Sequence, residues 1–412
     1  MKKIALLTLI FSIFLLSSCQ DAIFEAIMED VIPESATVSG NITNITRYTV
    51  GTDEEYLFLA ADGGLRYKPA VNTDHGAWQV FELPFGLIHY NSEANTYDGE
   101  QILTVLADDV YLYLVTTTYT YDLRYGQNYP NTFKIWALKD FTKNGDELEA
   151  PFADWDAYEP TEDEIKELFP IAKNSDDYYY SNFNVFQTNA PKQAHRAAYL
   201  RSYNTTNNTH TYYKFNGGSK PSVITLNQAD IIDANRTTDS SYVAVARSAV
   251  WFNGIKFIAS RVATTNETYD DDPTYYYYTN GNSKLYYNSS DTETNASGID
   301  ANTSYIISAL ATTEDSILIG YGSVSDTSAG GIGRMLLNSG VPTKLASFET
   351  NAAFQITSSY KVVSLLNATP DQPELDSNLY ASVNFASASN SFDNIGLWSY
   401  YPERGLSGWN RE

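Results

Sequence analysis

From about Thr37 to Glu412 the chain repeats one order of apolar and polar positions: an apolar run, a polar turn, a second apolar run, a loop, and a third run rich in Tyr or Trp. The clearest copy is Tyr305–Leu310, the acidic turn Glu314-Asp315, Ser316–Tyr321 and, past a Gly-rich turn, Gly331–Leu337. The same order appears at Arg47–Val50, Tyr56–Ala61 and Gly63–Tyr67, and again at Ile102–Leu106, Tyr111–Val115 and Phe133–Trp136. It recurs at Tyr242–Ala246, Lys256–Ala259 and Lys284–Tyr287, and last at Phe354–Ile356, Leu379–Val383 and Ile395–Tyr400. A fainter copy spans Val185-Phe186, Ala197–Leu200 and His210–Lys214. Short apolar runs bounded by Asn, Asp, Gly and Ser are strands and turns.

First strands recur roughly every 50–80 residues, wider than the strand spacing of a simple sandwich. An up-and-down unit of three or four strands at this period is a β-propeller blade, with its first strand lining a central channel. The expected architecture is therefore an all-β propeller of six blades; the long interval from Ile102 to Val185 leaves room for a seventh. Trp78 and Trp409 fall where outermost strands belong. The alternative is a pair of β-sandwich domains. No copy carries the Trp-Asp signature of WD40 repeats.

One helix interrupts the strands. Thr161 with Glu164 three residues on forms a capping box, Ile165, Leu168 and Phe169 give an apolar face, and Pro170 stops it, so a short helical insertion is expected near 161–169. A second helix is expected over 21–30, where Ile23, Phe24, Ile27 and Met28 recur near helical spacing; a partly ordered tether ending at Pro33 explains the same segment.

Composition sharpens the class. Tyrosine leads the aromatics, 33 against 19 Phe and 6 Trp, which rules out a disordered chain and favours strands. The net charge of −24 repels nucleic acid and anionic membrane surfaces, so no nucleic-acid partner is expected and membrane attachment would have to come from elsewhere.

That source is at the front. Lys2 and Lys3 precede an apolar run from Ile4 to Leu16, and Leu16-Ser17-Ser18-Cys19 follows. This is the layout of a secretory signal, and the run falls short of the roughly 20 apolar residues of a membrane span. Leu-Ser-Ser-Cys resembles the lipobox of bacterial lipoproteins. The resemblance implies cleavage between Ser18 and Cys19, with a diacylglycerol thioether and an N-acyl chain on Cys19; two or more chains anchor durably. Cys19 is the sole cysteine, so no disulfide can form within the chain. The expected organisation is a signal at 1–18, a lipidated tether at 19–36 and the propeller-like body at 37–412. Gln20 after the cysteine favours the outer membrane, while Asp21 and Glu25 weakly resemble surface-export signals.

Candidate chemistry is sparse. His75, His89, His195 and His210 have no mutual ligand spacing, and with no thiol left no metal or other cofactor is expected beyond the covalent lipid. The acidic clusters at 53–55, 108–109, 176–177 and 270–272 lack a calcium-loop pattern and suit solvated turns. Segment 391–398, from Ser391 through Asp393 and Gly396 to Trp398, resembles the Asp-box of sialidases and related propellers, with the glycine one position late and Leu397 where that family has Thr. In that family the box is a structural turn, so the resemblance supports a propeller and assigns no catalytic residue. No hydrolase or phosphate-loop motif is present. Tyrosines are the one positive hint: Tyr119, Tyr121, Tyr125 and Tyr129 in one region, with runs at Tyr178, Tyr179, Tyr180 and at Tyr275, Tyr276, Tyr277, Tyr278. Exposed, they would suit sugar or peptide binding; in strands, they are packing.

These observations lead to a lipid-anchored binding or scaffolding module of the bacterial cell envelope, adhesin-like or assembling the envelope, with a protein or glycan partner. The alternative is a carbohydrate-active hydrolase or lyase using the propeller funnel. Replacing Cys19 with alanine should shift the protein from the membrane to the soluble fraction; a Cys19→Ala chain that still sediments with membranes would remove the lipid anchor from this account.

Overall fold

The computed structural model describes residues 38, 42–51, 54–61, 64–70, 77–83, 89–91, 96–122, 127–130, 132–145, 147–149, 155–168, 184–204, 209–224, 242–252, 255–264, 283–287, 305–323, 331–338, 341–347, 360–372, 376–385, 395–402 and 409–412. Within several of these strands only the backbone course is described.

Six up-and-down meanders follow one another along the chain. The first holds β1 (Ile45–Val50), β2 (Glu54–Ala61), β3 (Gly64–Pro69) and β4 (Gln79–Phe81). After a hairpin of β5 (His89–Asn91) and β6 (Thr96–Asp98) comes the second, with β7 (Gln101–Ala107) and β8 (Leu112–Thr117). It is interrupted by a hairpin of β9 (Tyr119–Asp122) and β10 (Gln127–Pro130), continues with β11 (Lys134–Leu138), is interrupted again by β12 (Thr142–Asn144) and β13 (Glu147–Glu149), and ends at β14 (Asp156–Tyr158). The third comprises β15 (Asn184–Asn189), β16 (Ala197–Asn204), β17 (Thr209–Asn216) and β18 (Ser219–Ile224), and the fourth β19 (Tyr242–Phe252), β20 (Ile255–Thr264) and β21 (Ser283–Tyr287). The fifth runs β22 (Tyr305–Thr312), β23 (Ser316–Ser323), β24 (Gly331–Asn338) and β25 (Val341–Ser347), and the sixth β26 (Tyr360–Asn367), β27 (Leu379–Phe385), β28 (Gly396–Tyr400) and β29 (Trp409–Arg411).

Within each meander the pairing is antiparallel and sequential. First strands pack around a closed ring: β1 on β7, β7 on β15, β15 on β19, β19 on β22, β22 on β26, and β26 back on β1. That ring is a propeller and displaces the two-sandwich alternative. The blade count is corrected: five blades form where six were expected. The third and fourth meanders share one seven-stranded sheet, because β15 and β19 pair in parallel at Thr188↔Ala249 and Asn189↔Val250.

The last copy of the repeat is also corrected. Its first strand is β26, some residues beyond the expected Phe354–Ile356, which lies outside the described residues. Trp409 does sit in an outermost strand, and Trp78 directly precedes one. The expected insertion is the short helix α1 (Glu162–Leu168), whose capping box forms: the Thr161 N–H donates to Glu164 Oε2 at 2.9 Å, and the Glu164 N–H to Thr161 Oγ1 at 3.4 Å. Leu168 is fully buried there and Ile165 packs beside it. The helix expected over 21–30 lies outside the described residues.

The core is a set of wedges between neighbouring blades. Tyr48, Phe58, Tyr67, Phe81, Leu114 and Phe141 fill the wedge between the first and second meanders, with Phe58 and Phe141 rings 5.5 Å apart. Tyr113, Leu200 and Phe215 belong to the next wedge, and Leu318, Val362 and Leu379 to the one between the fifth and sixth. Tyrosine does more than fill. The Tyr48 hydroxyl donates to the Val110 carbonyl at 2.8 Å, and Tyr67 accepts from the Leu148 N–H at 2.9 Å. Tyr113 donates to Asp108 and accepts from the Gly217 N–H, joining the second meander to the third. A buried ring thus carries a polar tip to a backbone group on the next element, which phenylalanine cannot do.

Two buried charge clusters tie distant meanders together. At the closure, Lys68 on β3 is 1% exposed and reaches Glu412 at 3.3 Å and Tyr401 at 3.2 Å, with Trp78, Tyr380 and Tyr401 rings around its ammonium at 5.3–5.8 Å. Trp78 and Ser399 also donate to the Glu412 carboxylate. Elsewhere Arg196, between β15 and β16, donates to both Glu55 oxygens at 3.0 Å and to the Arg47 carbonyl, while Arg47 lies 3.4 Å from the same carboxylate.

The acidic turns are thereby corrected. Glu55 is an ion-pair partner, and Asp108 is 4% exposed and accepts the Val110 and Tyr111 N–H groups at 2.7 Å. Burial pushes the Asp108 carboxyl up despite those bonds. For Glu55 burial also pushes upward, but Arg196 and Arg47 outweigh it and hold the carboxyl below its ordinary value of 4.5. Stability from Glu55 is therefore present above that value and lost as pH falls through the lower folded value. Glu55→Gln should cost about 3 kcal/mol at neutral pH, and the gap to the natural protein should narrow in urea titrations below about pH 4. A gap unchanged by acid would contradict the pairing.

Candidate functional site

The tyrosine clusters come first. Tyr119 and Tyr121 lie on β9 and Tyr129 on β10, and the register pairs Tyr129 with Thr120 and Tyr121 with Asn128. Tyr125, Tyr178–Tyr180 and Tyr275–Tyr278 lie outside the described residues, as do Ser18 and Cys19. In the Asp-box-like segment, 391–394 also lies outside; Gly396 opens β28 at φ 116°, a conformation that favours glycine.

The described geometry converges instead on the ring of first strands, which encloses a cavity of about 320 Å³. β1, β7, β22 and β26 are edges of their sheets, and β15 and β19 meet each other only at Thr188↔Ala249 and Asn189↔Val250, so many N–H and C=O groups facing the axis lack ladder partners. Small polar side chains from neighbouring strands serve them. Ser364 on β26 accepts the Ile45 N–H at 3.2 Å. Asn44 donates to the Val105 carbonyl at 2.7 Å, and Thr43 to Leu103 at 2.9 Å. Gln187 on β15 accepts the Ala107 N–H at 3.2 Å and donates to the Ile45 carbonyl at 3.3 Å and to Asn189 at 2.6 Å. Asn189 donates to the Leu310 carbonyl at 3.4 Å, while Ser248 on β19 accepts the Leu310 N–H at 3.1 Å. Ser308 on β22 donates to the Val362 carbonyl.

Four of the six strands bulge at this level. The ladder skips one residue between Ile102 and Thr104, between Ala246 and Ser248, between Ile307 and Ala309, and between Val362 and Ser364. A bulge bends the strand and re-aims a side chain. Leu103, Ser308 and Val363 occupy three of the inserted positions and all line the cavity; Arg247 holds the fourth. The described lining is otherwise Thr43, Asn44, Thr104, Val185, Phe186, Gln187, Asn189, Ser248, Ala309, Ser364 and Leu365. Among the described residues it contains no Asp, Glu, His, Lys or Arg.

Asn189 also borders a small void of about 10 Å³ beside Arg47 and Arg196, so the ion cluster sits towards the end of the channel where β15 stops. There burial, with the neighbouring Arg196 charge, lowers Arg47 to about 10 although Glu55 opposes the shift. No group of three or more metal-ligating side chains occurs among the described residues.

No protein-family model matches the chain, and no curated protein does. Sixty-two solved chains resemble it in fold. One is the six-bladed propeller lectin of Aleuria aurantia, described for its fucose recognition: 7% identity, TM-score 0.40, covering 91% of this chain and 96% of that one. Another is AofleA from Arthrobotrys oligospora, at 12% identity and TM-score 0.37 over 92% and 86% of the two chains. A third is a β-1,2-mannobiose phosphorylase from Listeria innocua, at 12% and 0.33 over 89% and 90%. Such distant likenesses concern the course of the chain alone.

Removing Gln187 tests the ring. Gln187→Ala strands two backbone groups, each worth about 1–3 kcal/mol when left unpaired. Its urea midpoint should fall by the equivalent of about 2 kcal/mol or more; an unchanged midpoint would show that water serves those groups equally well.

Proposed function

We propose that the chain is a lipid-anchored binding module of the bacterial cell envelope, tethered through Cys19 and presenting the propeller to a protein or glycan partner. The supporting observation is the described part of the cavity lining: where an enzyme would need a positioned acid or base, the described side chains offer hydroxyls, carboxamides and aliphatic groups. The competing reading, a carbohydrate-active hydrolase or lyase working in the funnel, needs two carboxylates or an equivalent acid–base pair in one pocket. The half-buried carboxylates of Glu55 and Glu412 are instead engaged by Arg196 and Lys68.

The tether follows from the lipobox resemblance and places one side of the body near a membrane, with the outer membrane favoured by Gln20. An envelope-assembly scaffold and an adhesin both fit this arrangement. No described helix is long and apolar enough to cross a bilayer.

The test is retention without turnover. The purified protein, incubated with a panel of oligosaccharides and envelope proteins, should retain a ligand and return it chemically unchanged. Release of new reducing ends or unsaturated products would replace this proposal with the enzymatic one.

A further inference from the structure

The hydrogen-bonded ring does not use all of its hydroxyls. Thr104 is 3% exposed and lines the cavity, and its hydroxyl joins none of the described inter-strand hydrogen bonds. Ser248 accepts the Leu310 N–H through its oxygen, which leaves its own proton without a described acceptor. Ser308 spends its proton on the Val362 or Gly320 carbonyl and keeps its lone pairs. Each hydroxyl can donate one hydrogen bond and accept two. The cavity is thus lined by a mixed set of open donors and acceptors, beside aliphatic surface from Leu103 and Val363.

We infer that this channel cavity is a carbohydrate site, taking a single sugar residue at the end of a glycan. The inference rests on the binding-module reading above. Three observations carry it. Unused hydroxyl capacity on Thr104, Ser248 and Ser308 matches a ligand that is itself dense in hydroxyls. The volume, about 320 Å³, lies at the small end of the range for ligand pockets and is bounded by β7, β15, β19, β22, β26 and the segment leading into β1, so it takes a compact group. A peptide would bind a propeller edge by adding a strand, but here the described inner edges already receive Ser364, Asn44, Gln187 and Ser248. The bulges fit the same purpose, since they place Leu103, Ser308 and Val363 in the lining at positions a regular ladder would not supply.

Thr104 is the residue to test, because it stands outside the described ring of inter-strand bonds. Thr104→Val keeps the shape and the β-branch but deletes the hydroxyl; Thr104→Ser keeps the hydroxyl. The probes are neutral hexose and N-acetylhexosamine oligosaccharides and, in a second arm, uronic-acid oligosaccharides. They are titrated calorimetrically into the full lipidated chain in a detergent that carries no sugar. At least one arm should bind, and the two arms tell a neutral terminal sugar from an acidic one. Thr104→Val should weaken that binding about tenfold, while Thr104→Ser should stay within about threefold and both variants should keep the natural melting temperature. Equal affinity in the natural protein and Thr104→Val would put the sugar elsewhere and overturn the channel site while leaving a binding module intact. Absence of binding in both arms would also overturn it, and a purified protein partner that still bound would keep the broader reading. Cleavage of the sugar would overturn the broader reading itself.

Discussion

The unpaired inner edge is the constraint on which this fold turns. A blade ends at the axis on a strand most of whose backbone has no further strand to meet, β15 and β19 touching only at Thr188↔Ala249 and Asn189↔Val250, and these first strands face one another at close range. Buried N–H and C=O groups must be paired. The described solution is a circuit of Ser, Asn and Gln side chains, each reaching across to the neighbouring strand's backbone. Those residues must be short, because six strands converge there, and neutral, because an unpaired charge at that depth would cost far more than the bond returns. Cavity size and cavity chemistry follow together from that requirement.

Further from the axis the blades diverge, and larger groups take over. Tyrosine suits this zone because its ring fills a widening wedge and its hydroxyl reaches the next blade. The buried hydroxyls of Tyr48 and Tyr113 are pushed far above the ordinary phenol value, chiefly by burial, so they stay neutral donors at any physiological pH. The excess of tyrosine over phenylalanine is thus a property of the blade interfaces before it is evidence for a binding surface.

Much of the architecture was legible because second and third strands are long, apolar and bounded by polar turns, as at Tyr56–Ala61 and Ser316–Tyr321. The capping box at Thr161 was legible because its chemistry is local. The failures have a common cause. In β26, Lys361 and Ser364 interrupt the apolar run, so a run nearer the preceding turn looked more strand-like. The sharing of a sheet by β15 and β19 depends on a parallel contact between segments some sixty residues apart, which no periodicity records. Bulges insert one residue and so erase the alternation by which a channel face would be recognised. One signal was nonetheless present: a small polar residue inside nearly every apolar first strand, at Thr104, Gln187, Ser248, Ser308 and Ser364. Taken singly each reads as an ordinary strand residue; only their common depth in the ring gives them meaning.

The clasp of Lys68 and Glu412 has a consequence for biogenesis. It joins residues 344 apart in sequence, and Trp78 reaches the same carboxylate across 334. Contacts of such separation carry the greatest loop-closure cost and form late. A chain made from its front end would have to hold the wedge between the first and sixth meanders open until β29 arrived. Until then Lys68, Trp78 and the apolar faces of β2 and β3 would stand exposed to water or to a chaperone. Ring closure would therefore fall late in folding, with the first meander waiting on the sixth.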